Sequence, residues 1–138
     1  MLISLRLGHH MKKKPILTNK APTPFGTYSQ AIKCNDLLFV SGQLPIKEGC
    51  TEIISDDVVE QTSQCFKNIQ NICNAAGSNL NDAVKINVYY TDIAASENLN
   101  QVMEEFFHEP YPARIRVKVA GLSKNAKVEI DGIFLCKN

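Results

Sequence analysis

No part of this 138-residue sequence is apolar over the roughly 18 to 20 residues that a membrane-spanning helix needs. The apolar stretch around Leu2 is also too short for the core of a secretory signal. These absences predict an intracellular protein, located in the cytoplasm. The mitochondrion is the alternative, because residues 1–10 are apolar and basic without an acid, as in a presequence.

Strong net charge is absent too, with a formal value of +1 and a pI near 7.6. Such a balance gives no overall field toward nucleic acid or an anionic membrane. Charge is nevertheless uneven, because the first acidic residue is Asp36 and the basic residues before it are Arg6, Lys12, Lys13, Lys14, Lys20 and Lys33. We interpret residues 1–14 as a flexible basic leader or tail, or as sequence upstream of a functional Met11, and residues 15–138 as one domain.

The chain also lacks the cysteine spacing of a disulfide framework or a zinc site. Its five cysteines are an odd number without a CxxC pair, and the histidines lie far from them in the sequence. We expect the cysteines to act as small core residues in a reducing compartment.

Motifs of nucleotide, zinc and serine-hydrolase chemistry are missing: there is no GxGxxG, GxxxxGK[ST], HExxH or GxSxG. Asn35, Asp36 and the acids near residue 57 offer oxygen ligands for a metal. Acidic residues at the start of a helix more often cap it, which is the interpretation we favour.

Two segments have helical periodicity. Apolar residues recur at spacings of three and four over residues 57–76, where Asp57 and Glu60 resemble a capping box and Gly77 a C-terminal stop. Residues 96–107 repeat the pattern. We attribute both apolar faces to core packing.

Strand patterns surround these helices. Residues 29–34 and 37–43 flank a two-residue turn, Asn35-Asp36, that predicts a hairpin. Residues 84–90, 113–120 and 127–136 alternate in polarity, and residues 15–18 are a candidate first strand. The order predicts an α+β domain with a single mixed β-sheet and two helices on one face.

Alternation in the last two strands groups their charges. Arg114, Arg116 and Lys118 share one side of the first strand, and Glu129 and Asp131 share one side of the second. If the helices cover the apolar sides, cations and carboxylates share the open face. Arg114 and Glu129 on adjacent strands would then form either a binding site or a cross-strand ion pair worth about 0.2 to 1 kcal/mol.

Several short motifs, in order along the chain, resemble the signature of the RidA family, also called the YjgF, reactive intermediate deaminase or L-PSP endoribonuclease family. They cover about residues 15–137. The matching segments are PFGTYSQA (24–31), LLFVSGQLP (37–45), AAG (75–77), VYYTDIA (88–94), LNQVMEEFF (99–107), PAR (112–114) and VEIDGIF (128–134).

This resemblance implies a chorismate-mutase-like fold and a homotrimer with pockets at the subunit interfaces. It also implies hydrolysis of reactive 2-imino acids, the products of pyridoxal-phosphate enzymes, to 2-keto acids and ammonia, without a cofactor or metal. By position, Arg114 holds the substrate carboxylate and Glu129 activates water. Tyr28, Ser41 and Asn100 fall at the other substrate-binding positions.

Arg116 departs from the family pattern, which usually has a small residue there. Being on the same face as Arg114, it either adds a second anion contact or fills the space of the imine. We also expect a second cation to make Glu129 a weaker base. Arg116 beside Arg114 raises one alternative to the deaminase, a non-catalytic protein that binds 2-keto acids. The resemblance raises another, a ribonuclease or translation inhibitor, which the near-neutral charge supports less.

Overall fold

The computed structural model describes residues 12–137, which form one mixed sheet covered by two helices. The helices are α1 (Val58–Ala76) and α2 (Leu99–Phe106). The strands, in the sheet order β1-β2-β3-β6-β4-β5, are β1 (Lys13–Ile16), β2 (Ala31–Cys34), β3 (Leu37–Gln43), β6 (Val128–Leu135), β4 (Ala83–Tyr90) and β5 (Ala113–Lys118). This arrangement confirms the predicted fold class.

Strand pairing is antiparallel except between β4 and β5. The hairpin of β2 and β3 is confirmed, and Asn35 in its turn has the positive φ of 54° that the turn requires. The first strand begins at Lys13, so Lys13 and Lys14 pair with β2 instead of belonging to the predicted leader. The other part of that leader, residues 1–11, lies outside the described residues.

Helix α1 begins and ends where its capping residues allow. The Asp57 carboxylate accepts hydrogen bonds from the backbone N–H groups of Val59 and Glu60, and Gly77 ends the helix at a φ of 82°. The predicted capping box is only half formed, because the Glu60 carboxylate accepts from the Ser55 hydroxyl and not from the Asp57 backbone. Asp57 therefore caps α1, which is the role that we favoured over metal binding.

The second helix starts at Leu99, later than predicted. A separate turn of 3₁₀-helix, Ile93–Ser96, precedes it, and the Asp92 carboxylate caps that turn by accepting from the Ala94 backbone. Ser96, which the sequence pattern placed at the helix start, is instead the buried last residue of the turn. It contacts Arg116, as described below.

The core lies between the helices and one face of the sheet. Ile86 and Val88 of β4 are fully buried there, and Phe66 of α1 packs edge-on against Phe107. Among the cysteines, the expectation of core packing is right for Cys65, Cys73 and Cys136, which are buried. It is wrong for Cys50, which is exposed in the loop after β3, and Cys34 is only partly buried.

The sheet corrects two expectations about the charged strands. β4 lies between β5 and β6, so Arg114 and Glu129 are not on adjacent strands and form no cross-strand ion pair. Arg114 pairs with the core residue Ile86, whereas Glu129 pairs with Tyr89, which points to the uncovered face. The cations therefore lie on the helix-covered side at the sheet edge, and the carboxylates lie on the opposite face.

The uncovered face of the sheet carries several large apolar side chains. Phe39, Ile115, Val117 and Leu135 are each between 38% and 43% exposed. Leu135 lies two residues after the partly buried Ile133 in β6, on the same face, and it is 41% exposed.

Within residues 12–137, neither helix is long and apolar enough to cross a bilayer.

Gly132 is closely packed on the core side of the sheet. A Cβ built there would lie 2.9 Å from the Lys85 carbonyl oxygen and 2.9 Å from the Ile86 side chain. We predict that Gly132→Ala destabilises the protein by about 1 to 3 kcal/mol, because backbone cannot move aside as a flexible side chain can. Denaturant unfolding at fixed protein concentration measures the change.

Gly121→Ala is the matched control, because a Cβ at Gly121 meets nothing within 4 Å. Its free energy of unfolding should stay within about 0.5 kcal/mol of the value for the parent protein. Equal midpoints for Gly132→Ala and the parent would show that the sheet relaxes around the added methyl group.

Candidate functional site

Arg114 lines a cleft of about 400 Å³ at the edge of the sheet. Its Nη1 donates to the Asn100 side-chain oxygen at 2.8 Å and to the Met103 sulfur at 3.3 Å, both on α2. The structure thus brings two predicted site residues together, Arg114 and Asn100. The cleft also includes residues that the sequence did not suggest as functional: Met103, Glu104, Tyr111 and Pro112.

Arg116 lies two residues further along the same face and is hydrogen-bonded to the 3₁₀ turn that precedes α2. Its Nη1 donates to the Ser96 hydroxyl at 2.9 Å and to the Ser96 carbonyl at 3.2 Å. Within residues 12–137, neither arginine has a carboxylate at ion-pair distance. Burial lowers the pKa of Arg114, and the charge of Arg116 lowers it further, yet a guanidinium remains protonated at such shifts.

The other predicted residues line a second cleft, of about 440 Å³, on the far side of β6. Tyr28, Ser41 and Glu129 meet there. The Tyr28 hydroxyl accepts from the Phe25 backbone N–H at 3.2 Å, and the Ser41 hydroxyl donates to the Ser29 carbonyl at 2.6 Å. Phe25 and Lys124 also line this second cleft, and the Lys124 ammonium lies 5.3 Å from the centre of the Phe25 ring.

A register shift in β3 makes room for Glu129. The pairing of β3 with β6 is regular up to Val40 and resumes at Gln43, which leaves Ser41 and Gly42 in a bulge. A Cβ on Gly42 would collide with the Glu129 carboxylate. Gly42 is a site residue that the sequence analysis did not identify, and a glycine inside a strand pattern is the signal that could have indicated it.

The pKa of Glu129 is raised, first by burial and then by the negative charge of Asp131 on the same strand face. Asp131 is itself fixed by two donors, the Asn87 amide at 2.6 Å and the Tyr89 hydroxyl at 3.1 Å. The expected weakening of Glu129 as a base by Arg116 is therefore wrong for the single chain. The neighbouring charge is an acid and shifts its pKa upward.

The predicted site residues thus fall into two separate groups. One is Arg114, Asn100 and Arg116 on the helix side of the sheet edge, and the other is Tyr28, Ser41 and Glu129 on the uncovered side. In the part of the chain that the structure describes, no cluster of three or more His, Cys, Asp or Glu side chains is arranged to hold a metal ion.

Comparison with known proteins accounts for almost the whole chain. The profile of the family described as Endoribonuclease L-PSP matches residues 18–136. The chain belongs to the RidA family. The RutC family protein y4sK of Sinorhizobium fredii is 51% identical over 88% of this chain and 96% of its own length. A protein of Dermatophagoides farinae named 2-iminobutanoate/2-iminopropanoate deaminase is 37% identical over 89% of this chain and 96% of its own.

Solved structures of the RidA family share this fold. The crystal structure of RidA from an Antarctic Psychrobacter species superposes with a TM-score of 0.85 at 44% identity, covering 88% of this chain and 98% of that one. Escherichia coli TdcF with bound serine gives a TM-score of 0.83 at 34% identity, covering 89% and 98%. The sheet and helices described above are thus those of the family.

We predict that Asp131→Asn lowers the pKa of Glu129. Asp131 is negative and disfavours the ionised form of Glu129, so removing its charge favours ionisation and moves the titration to lower pH. The asparagine oxygen can still accept from the Asn87 amide, and its NH₂ group can donate to the Tyr89 hydroxyl oxygen. Carboxyl ¹³C NMR, with the Glu129 signal assigned through Glu129→Gln, measures the shift.

Asp36→Asn, in the hairpin turn between β2 and β3, is the control because Asp36 lies on neither strand of the site. It should leave the Glu129 titration unchanged. An equal shift in both variants would mean that net charge, and not the local Asp131 carboxylate, sets the Glu129 pKa.

Proposed function

We propose that this protein hydrolyses reactive 2-imino acids to 2-keto acids and ammonia. The observation that carries the proposal is the Arg114 guanidinium, which Asn100 holds from one side in an open cleft. Its Nη2 and Nε have no partner among residues 12–137. A planar guanidinium with free donors matches a carboxylate, which it binds through two parallel charge-assisted hydrogen bonds.

Such a clamp leaves the C=N carbon of an imino acid accessible to water. Attack needs a base for the water and an acid for the departing nitrogen, and one carboxyl group can take the proton and return it. Glu129 suits this exchange because burial and Asp131 raise its pKa toward neutrality. Tyr28 and Ser41 add neutral hydrogen-bonding groups to the Glu129 cleft.

Within one chain, however, the clamp and the base lie on opposite sides of the sheet. We therefore infer a homotrimer in which the Arg114 cleft of one subunit faces the Glu129 cleft of the next. The exposed apolar side chains of Phe39, Ile115, Val117 and Leu135 support this assembly, because a sheet face of this kind is normally covered.

The relatives agree with this proposal. A deaminase name is borne by the Dermatophagoides protein, and the serine bound to TdcF is a small molecule with a carboxylate. For the compartment, we propose the cytoplasm with the mitochondrion as the alternative. A relative from Arabidopsis thaliana is named a chloroplastic protein.

A second candidate is a protein that binds 2-keto acids without catalysis. It is favoured by the position of Arg116 beside Arg114, and by the distance of Glu129 from both arginines in the single chain. Calorimetry with 2-ketobutyrate or pyruvate tests it, and absence of heat at millimolar concentration would eliminate it. Ribonuclease action has less support, because the near-neutral charge provides no broad basic surface.

Arg114→Ala should abolish deaminase activity. Two charge-assisted hydrogen bonds are worth about 3 kcal/mol or more, so kcat/KM should fall by roughly a hundredfold at least. A D-amino-acid oxidase supplies the imine of alanine while semicarbazide competes for it, and the protein's activity appears as slower semicarbazone formation. Purified parent protein with no effect on that rate would contradict the proposed function.

Mixed trimers test whether the pocket is shared. Arg114→Ala and Glu129→Gln should each be inactive alone, but a shared pocket that takes Arg114 from one subunit and Glu129 from the next is intact in some mixed trimers. Random assembly from equal amounts should restore about a quarter of the parent activity. Restoration requires unfolding and refolding the two variants together, and separately refolded variants mixed afterwards are the control.

A further inference from the structure

Arg114 and Arg116 form a pair of cations on one face of β5. Their partners in β4, Ile86 and Val88, both point into the core, so the two arginines lie on the same side of the sheet edge. Residues two apart in a strand are separated by roughly 6.6 Å at the backbone. The two guanidiniums can thus contact two different anionic groups of one small molecule.

Neutral partners fix each guanidinium from one side. Arg114 uses Nη1 toward Asn100 and Met103, and Arg116 uses Nη1 toward Ser96. Within residues 12–137, no hydrogen bond or ion pair engages the Nη2 and Nε groups of either arginine. Each arginine is therefore oriented in advance while the donors that would bind an anion stay available.

The charge of the cleft is consistent with this availability. Glu104 of α2 lines the Arg114 cleft but forms no ion pair with Arg114. Arg114 and Glu104 together are neutral, so Arg116 supplies the excess positive charge beside the cleft. Burial lowers the pKa of Arg114, and the positive charge of Arg116 lowers it further. Two like charges this close repel each other, and a ligand with two negative groups relieves the repulsion.

We propose that Arg116 makes the site selective for dicarboxylic ligands, so that the favoured substrates are 2-imino acids with a second carboxylate, such as the imines of aspartate and glutamate. The inference rests on the proposed deaminase function. Arg114 binds the carboxylate next to the C=N bond, and Arg116 binds the distal carboxylate. The separation of the two cations favours two carboxylates over a single phosphate.

The reaction itself does not change. Water adds to the C=N carbon and one of its protons passes to the nitrogen. The proton of the new hydroxyl group then passes to the same nitrogen as the C–N bond breaks, so that ammonia leaves and the 2-keto acid keeps both of its carboxylates. Arg116 does not take part in bond making, so its contribution is to substrate affinity and orientation. It is a specificity-determining residue.

Substrate competition measures this selectivity. A D-aspartate oxidase supplies the imines of aspartate and glutamate, a D-amino-acid oxidase supplies the imine of alanine, and semicarbazide competes in both cases. The parent protein should have the higher kcat/KM for the dicarboxylic imines. Arg116→Ser should reduce that preference by about tenfold or more, the value of one charge-assisted contact, because kcat/KM falls more for the dicarboxylic imines than for the alanine imine, which has no distal carboxylate.

Lys118→Ala is the matched control. Lys118 lies on the same face, one step beyond Arg116, and is exposed, so its removal changes net charge equally without changing the site. Selectivity should be unaffected. Equal loss in Lys118→Ala and Arg116→Ser, or equal loss of both substrate classes in Arg116→Ser, would overturn the proposal.

Binding separates this inference from the deaminase function. Calorimetry compares 2-oxoglutarate with 2-ketobutyrate on the parent protein and on Arg116→Ser, and inorganic phosphate serves as the single-anion competitor. Tighter binding of 2-oxoglutarate that depends on Arg116 would support the dicarboxylate site even if no imine is hydrolysed. Equal affinity for both keto acids would reject it, whatever the deaminase assay shows.

Discussion

Insertion of β6 between β3 and β4 is the constraint on which the rest of the site depends. β6 pairs antiparallel with both neighbours, which leaves β5 at the edge, parallel to β4. Side chains alternate along each strand, so the register of these pairs decides which residues share a face. Arg114 is placed beside the core residue Ile86, and Glu129 beside Tyr89 on the uncovered face. A one-residue slip in β5 would exchange the apolar and cationic sides of that strand.

The position of β5 at the edge of the sheet explains how its cations can occupy the helix-covered side. A central strand with arginines on this face would bury them against α1, at a high desolvation cost. On β5 the Arg114 guanidinium contacts α2 and the Arg116 guanidinium contacts the preceding 3₁₀ turn, while Arg114 is partly exposed and Arg116 is exposed. Asn100 and Ser96 satisfy one nitrogen of each arginine without neutralising it. The fold therefore keeps two oriented cations at low cost and leaves them able to bind anions.

Sequence periodicity was sufficient for the elements of this fold and for the shared face of Arg114 and Arg116, because both depend on local repeats. It failed for the relation between Arg114 and Glu129. Alternation tells which residues of one strand share a side, but the phase between strands depends on non-local pairing, and nothing local indicates that β4 separates β5 from β6. The space for the Glu129 carboxylate could not be predicted either, because a bulge at Gly42 creates it. A glycine in a strand does not indicate which side chain of the neighbouring strand occupies that space.

The same geometry limits what one chain can do. Two strand spacings separate β5 from β6, about 10 Å, and the sheet itself lies between the two side chains because they point to opposite faces. A small imino acid bound to Arg114 therefore cannot reach Glu129 of its own chain. If both residues act on one molecule, the carboxylate comes from a second copy, and the uncovered apolar face is the surface on which that copy can pack. Catalysis and assembly then depend on the same strand order, since the arrangement that separates clamp and base within a subunit leaves each exposed to a neighbour.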